Sequence, residues 1–96
     1  MKDSIVRGRV LQTLCERRNE GPLLFGAGEG ATPPPAGVDE RAWLHAVAEL
    51  ASHSLVRWEA VTNEGGAMFG RAEITENGVD VCEDRARAQI DIRFSC

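Results

Sequence analysis

Apolar residues recur at helical spacing in Ile5, Val6, Val10, Leu11, Leu14 and Cys15, which predicts a first helix with one apolar face. Asp3 or Ser4 can cap its start. Gly8 weakens its interior by about 1 kcal/mol against Ala. Arg17-Arg18 suits the negative end of the helix dipole, and Gly21-Pro22 stops the helix. Pro22-Leu23-Leu24-Phe25 is a short apolar run that fits an edge strand. The stretch at about 26–37 is rich in Gly, Ala and Pro and contains Pro33-Pro34-Pro35. Each proline removes an amide donor and restricts its predecessor, so this stretch cannot be regular helix and reads as a mobile surface loop.

A second helix follows. Asp39 is a good N-cap, and Trp43, Leu44, Val47, Leu50 and Ala51 form an apolar stripe, with Glu40, Arg41, His45, Glu49 and Ser52 on the polar face. Leu55, Val56, Trp58, Ala60 and Val61 suit a strand. Asn63-Glu64-Gly65-Gly66 has turn chemistry, and residues 67–74 return as the second strand of a hairpin. Thr75 caps a final helix running through about Arg87, with Val79, Cys82 and Ala86 on its inner face. Beyond it, Ile90, Ile92 and Phe94 alternate, a strand pattern in a C-terminal tail at about 89–96 that is open to pairing with the hairpin or with a partner chain. Trp43 and Trp58 read as core or half-buried anchors. The whole is expected to be one small α+β domain spanning residues 1–96, since this length supports one modest core.

One segment is more specific than the rest. A helix bearing Leu50 ends in Ser54-Leu55-Val56, two strands surround a Gly-Gly tip, and Ile74-Thr75-Glu76-Asn77-Gly78 opens another helix. This order resembles the C-terminal part of winged-helix domains. In that scheme Leu55 and Val56 turn the chain from helix into strand, Thr75 satisfies the next helix start, and Gly78 lets that helix pass close to the sheet. Ser54 stands where many relatives have Gly. The family's second helix is missing, degenerate or replaced by a loop, because its interval is the Gly/Pro-rich stretch. The resemblance implies a DNA-binding or transcription-regulator-like protein of the small bacterial or phage type, with double-stranded DNA as the partner. Carried onto this chain, it implies DNA contacts by Arg41 and His45 from the reading helix and by Arg57 and Arg71 from the wing.

Charge alters that picture. The chain carries a net −4. Residues 1–18 hold five cations against two anions, whereas residues 38–54, which include the reading helix, hold Arg41 against Asp39, Glu40 and Glu49. A phosphate backbone is attracted by cations, so an acidic reading face disfavours it. Arg7, Arg9, Arg17 and Arg18 are candidate phosphate contacts, and the alternative for them is a solvated face paired to the acidic remainder. A second functional reading therefore stands beside the first: a protein–protein interaction module on a winged-helix scaffold, with another protein or a second copy (a homodimer) as partner, motivated by the acidic helix and the alternating tail.

Other chemistry is weakly represented. Gly26 to Ala31 fits a GxGxxG/A spacing, but the triproline that follows forbids the helix a dinucleotide site needs. Cys15 and Cys82 fall on apolar faces and read as small core residues, and Cys96 as an exposed thiol. No CxxC pair and no HExxH pattern occurs, and His45 and His53 lack further ligands, so no metal or cofactor is expected. No catalytic signature stands out, and an enzyme is not expected. No apolar run has membrane-spanning length and no secretory h-region is present, so a cytoplasmic protein without a membrane partner is the expectation.

Overall fold

The computed structural model describes residues 2–26, 31–35, 37–62 and 68–93. The first apolar face becomes α1 (Asp3–Glu16), followed by a single 3-10 turn (Arg18–Glu20) and a short strand, β1 (Leu23–Gly26). The second stripe becomes α2 (Glu40–Ser52), the hairpin becomes β2 (Val56–Thr62) and β3 (Met68–Ile74), and the last helix is α3 (Glu76–Cys82). The strands form one antiparallel sheet in the order β1-β3-β2. Val56 pairs with Ile74 and Trp58 with Ala72 on one side of β3, and Leu23 pairs with Ala72 and Phe25 with Gly70 on the other.

Helices α1 and α2 pack together and against one face of the sheet. The core joins Val10, Leu11 and Leu14 of α1, Trp43, Val47 and Leu50 of α2, and Leu23, Phe25, Val56 and Ala72 of the strands. Phe25 is fully buried, with its ring centroid 5.8 Å from Trp43 and 6.4 Å from the half-buried Trp58. Each fully buried large apolar side chain contributes about 1.5–3 kcal/mol relative to leaving it in water.

The junction between α2 and α3 is the most tightly specified part of the fold. Ser54 takes a left-handed φ of 62°, and Leu55 N–H donates back to the Leu50 carbonyl at 3.1 Å. Thr75 then binds this exit twice: its hydroxyl donates to the Ser54 carbonyl at 2.7 Å and its N–H to the Leu55 carbonyl at 3.1 Å. The same hydroxyl accepts from Gly78 N–H at 3.1 Å, capping α3. Gly78 sits so close that a Cβ there would fall on the Leu55 carbonyl oxygen and 2.7 Å from Ile74 Cγ1. The helix exit, the cap and the close approach all match the expectation from sequence.

Several boundaries differ from it. The N-cap of α1 is Lys2, without a side-chain bond, rather than Asp3 or Ser4. Ser4 is instead buried inside the helix, where its carbonyl accepts from Arg93 N–H at 2.9 Å. Helix α3 stops at Cys82 rather than near Arg87. Asp84 adopts φ 62°, and Arg85 and Ala86 N–H fold back to the Asp80 carbonyl, at 2.7 and 3.2 Å. Residues 89–93 are not a strand. They run irregularly against α1, with Ile90 and Ile92 packed on the core and the Asp91 carbonyl accepting from Arg7 Nη1 at 3.0 Å. Their alternation places Ile90 and Ile92 inward without a strand partner; Phe94 lies outside the described residues. Within the loop, Thr32 is buried and donates its N–H to the Leu24 carbonyl at 2.7 Å, which places this part of the loop beside β1. The expected wing tip at 63–66 and the centre of the GxGxxG stretch lie outside the described residues.

Candidate nucleic-acid interface

The buried stripe of α2 determines which side chains face outward. Asp39 accepts from Ala42 N–H at 2.7 Å and starts the helix, and Trp43, Ala46, Val47 and Leu50 turn inward. Arg41 and His45, one turn apart, are therefore exposed. Glu49 lies one further turn along. Its two carboxylate oxygens are both engaged, one by Arg7 Nη2 at 2.7 Å and the other facing His45 Nδ1 at 2.9 Å. The Arg7 and Glu49 side chains retain only 14% and 24% exposure, so solvent screens this pair less than a surface one. Arg7 also donates to the Asp91 carbonyl, tying α1, α2 and the tail together at one guanidinium.

The other arginines of the first helix region divide sharply. Arg17 forms a two-pronged pair with Glu20, at 3.0 and 3.1 Å. The hydrogen bond to Arg17 holds the Glu20 carboxyl below its ordinary range, and the same bond raises Arg17. Arg18 donates to the Cys15 carbonyl and sulfur and reaches Glu83 at 3.3 Å. Arg7, Arg17 and Arg18 thus serve internal pairing, and Arg9 is exposed with no ion pair among the described residues.

Alternation along the strands sends Arg57, Glu59, Arg71 and Glu73 to the face of the sheet away from the helices, since Val56 and Ala72 occupy the core face. Arg57 pairs with Glu73 at 3.3 Å, and Arg71 stands opposite Glu59 in the register. The two arginines expected to act with Arg41 and His45 therefore do not join them: α2 covers one side of the sheet and they occupy the other. Periodicity alone places each residue on a face of its own element, and only the packing reveals that these faces point apart.

Cys15 and Cys82 meet where α1 and α3 pack. Burial, followed by the hydrogen bond to Cys15, pushes the Cys82 thiol up to about 12. Among the described residues no group of three or more His, Cys, Asp or Glu side chains is placed to hold a metal ion, and no helix is long and apolar enough to cross a membrane. No protein-family model, no curated protein and no solved structure matches the chain.

Proposed function

We propose that this is a winged-helix-type domain that binds double-stranded DNA through α2, in the manner of a small transcription regulator. The order helix, strand, helix, two-stranded wing supports the scaffold, with the loop before α2 in place of the family's second helix. The observation that carries the DNA reading is the state of Glu49. From sequence it counts against a phosphate-facing helix, but in the fold Arg7 neutralises it from behind. The outward face then offers Arg41 and His45, with Glu40 at the helix start and Glu49 already paired. One arginine and one histidine a turn apart suit a base edge or a pair of phosphates in the major groove.

Few cations face outward, so the expected binding is weak and shallow in its salt dependence. Each phosphate contact steepens the slope of log affinity against log salt by about 0.9. Anisotropy of a labelled random-sequence duplex at low salt, repeated as salt is raised, measures this directly. The expected slope corresponds to about two to four contacts, and Arg41→Glu weakens binding about tenfold or more. Absence of binding at low salt would remove the proposal and leave the alternative, a protein-contact module on the same scaffold.

A further inference from the structure

The two edges of the sheet are treated differently. At the β1 edge, Thr32 donates its N–H to Leu24, so the loop covers that side. At the β2 edge no backbone group of another element reaches Val56–Thr62 among the described residues. The phase of the ladder determines which amides this edge presents. Thr75 N–H bonds the Leu55 carbonyl, and the register continues from that pair through Arg57–Glu73 and Glu59–Arg71. Bonded pairs alternate along an antiparallel ladder, so Arg57 and Glu59 turn their N–H and C=O toward β3. Val56, Trp58 and Ala60 turn theirs outward.

We propose that this edge pairs with the β2 edge of a second copy of the chain, antiparallel about a two-fold axis at Trp58, to give a continuous six-stranded sheet. The outward-turned amides of Val56, Trp58 and Ala60 then meet those of Ala60, Trp58 and Val56 in the other copy, forming about six backbone hydrogen bonds. The charges select this register. Within one copy, Arg57 faces Glu73 and Glu59 faces Arg71 on the outer sheet surface. About Trp58, Arg57 of one copy stands directly opposite Glu59 of the other in the closer, non-bonded type of pair. The row across the joined sheet then reads Glu73, Arg57, Glu59, Arg71, alternating in sign from one copy into the next. An axis at Glu59 would oppose two glutamates and an axis at Arg57 two arginines, each a like-charge clash. The Arg57 side chain is 79% exposed despite its bond to Glu73, so it is open to a second carboxylate. With the β1 edge covered, the assembly closes at two copies. Both α2 helices lie on the same side of the joined sheet, although the dimer stands whether or not they touch DNA.

Sedimentation of the full chain over a range of concentrations, under reducing conditions so that intermolecular disulfides do not contribute, tests this. The expected result is a reversible shift from one to two chain masses. Ala60→Pro removes an outward N–H that the β2–β3 ladder does not use, so it is expected to leave the far-ultraviolet circular dichroism unchanged and the chain monomeric. Arg57→Glu is expected to give a monomer, and inversion of the whole row (Arg57→Glu, Glu59→Arg, Arg71→Glu and Glu73→Arg) to recover the dimer, because it keeps opposite charges both across the axis and within each copy. If Ala60→Pro fails to fold, the charge pair decides the matter alone. A wild-type chain that stays monomeric overturns the proposal, as does a dimer that survives both Ala60→Pro and Arg57→Glu. Failure of the inverted row to recover the dimer overturns the register.

Discussion

Gly78→Ala is the most demanding test of how α3 is seated. Replacing a helical glycine with alanine ordinarily stabilises a helix by about 1 kcal/mol. Here the added Cβ would land on the Leu55 carbonyl oxygen, with Ile74 Cγ1 at 2.7 Å and the Leu55 carbonyl carbon at 3.2 Å. A side-chain tip could swing away, but a backbone carbonyl accepting from Thr75 N–H at 3.1 Å cannot move without lengthening that bond. The neighbouring bond from Thr75 Oγ1 to Ser54, at 2.7 Å, would lengthen with it. Forcing an extra methyl into a contact costs about 1–3 kcal/mol, and a fixed backbone oxygen puts this one in the upper part, about 2–3 kcal/mol, so after the helix gain of about 1 kcal/mol the variant is expected to lose about 1–2 kcal/mol. For a chain of this size that lowers Tm by about 4–15 °C. Thermal unfolding followed by circular dichroism measures the shift. A Tm unchanged or raised would refute the reasoning, because the ordinary helix preference would then have outweighed the contact.

Three further outcomes follow from the same geometry. Arg7→Met keeps the aliphatic stem but leaves the half-buried Glu49 without its arginine, with only His45 beside it, and frees the Asp91 carbonyl; urea unfolding is expected to show a loss of about 1.5–3 kcal/mol, less in an Arg7→Met/Glu49→Gln double variant. Ser54→Gly relieves a left-handed φ in a residue whose own hydroxyl makes no bond among those described, and is expected to be neutral or stabilising by up to about 1 kcal/mol, with loss of stability the refuting result. The Cys82 thiol is raised to about 12 in the fold against about 8.5 in an unfolded chain, so the unfolded state releases its proton first. Its stabilising effect is complete below about pH 8.5 and is lost as pH rises toward 12, so Cys82→Ala should flatten the fall in urea midpoint over that window. The chain has no tyrosine, which keeps this range clear of phenol titration.

The elements with a strong period or a local chemical signal were legible in the chain. The stripe of α2, the Asp39 cap, the hairpin strands and the Ser54, Thr75 and Gly78 junction all rest on interactions within a few residues or on a residue type with a single comfortable use. The misplaced boundaries share a different cause. Helix α3 was expected to continue because Ala86 keeps the helical period, but a left-handed Asp84 and the return of two amides to Asp80 end it. The alternation of Ile90 and Ile92 suggests a strand, yet both side chains pack half-buried against the core without a ladder. Phe25, at the end of a four-residue run, carried no sign that it would sit between both tryptophans.

The candidate site divides along the same line. Sequence by itself determined that Arg41 and His45 share one outward face of α2, because a buried stripe at helical spacing leaves no other choice. Alternation likewise groups Arg57 with Glu59 on one face of β2 and Arg71 with Glu73 on one face of β3, and the strand register then puts both pairs on the same side of the sheet. Only the tertiary structure decided that these two faces point away from each other, that Glu49 is neutralised by an arginine forty-two residues earlier, and that, among the described residues, one sheet edge is covered while the other is open. Period fixes direction within an element. Charge balance and edge exposure depend on what packs behind it, and those neighbours come from distant parts of the chain.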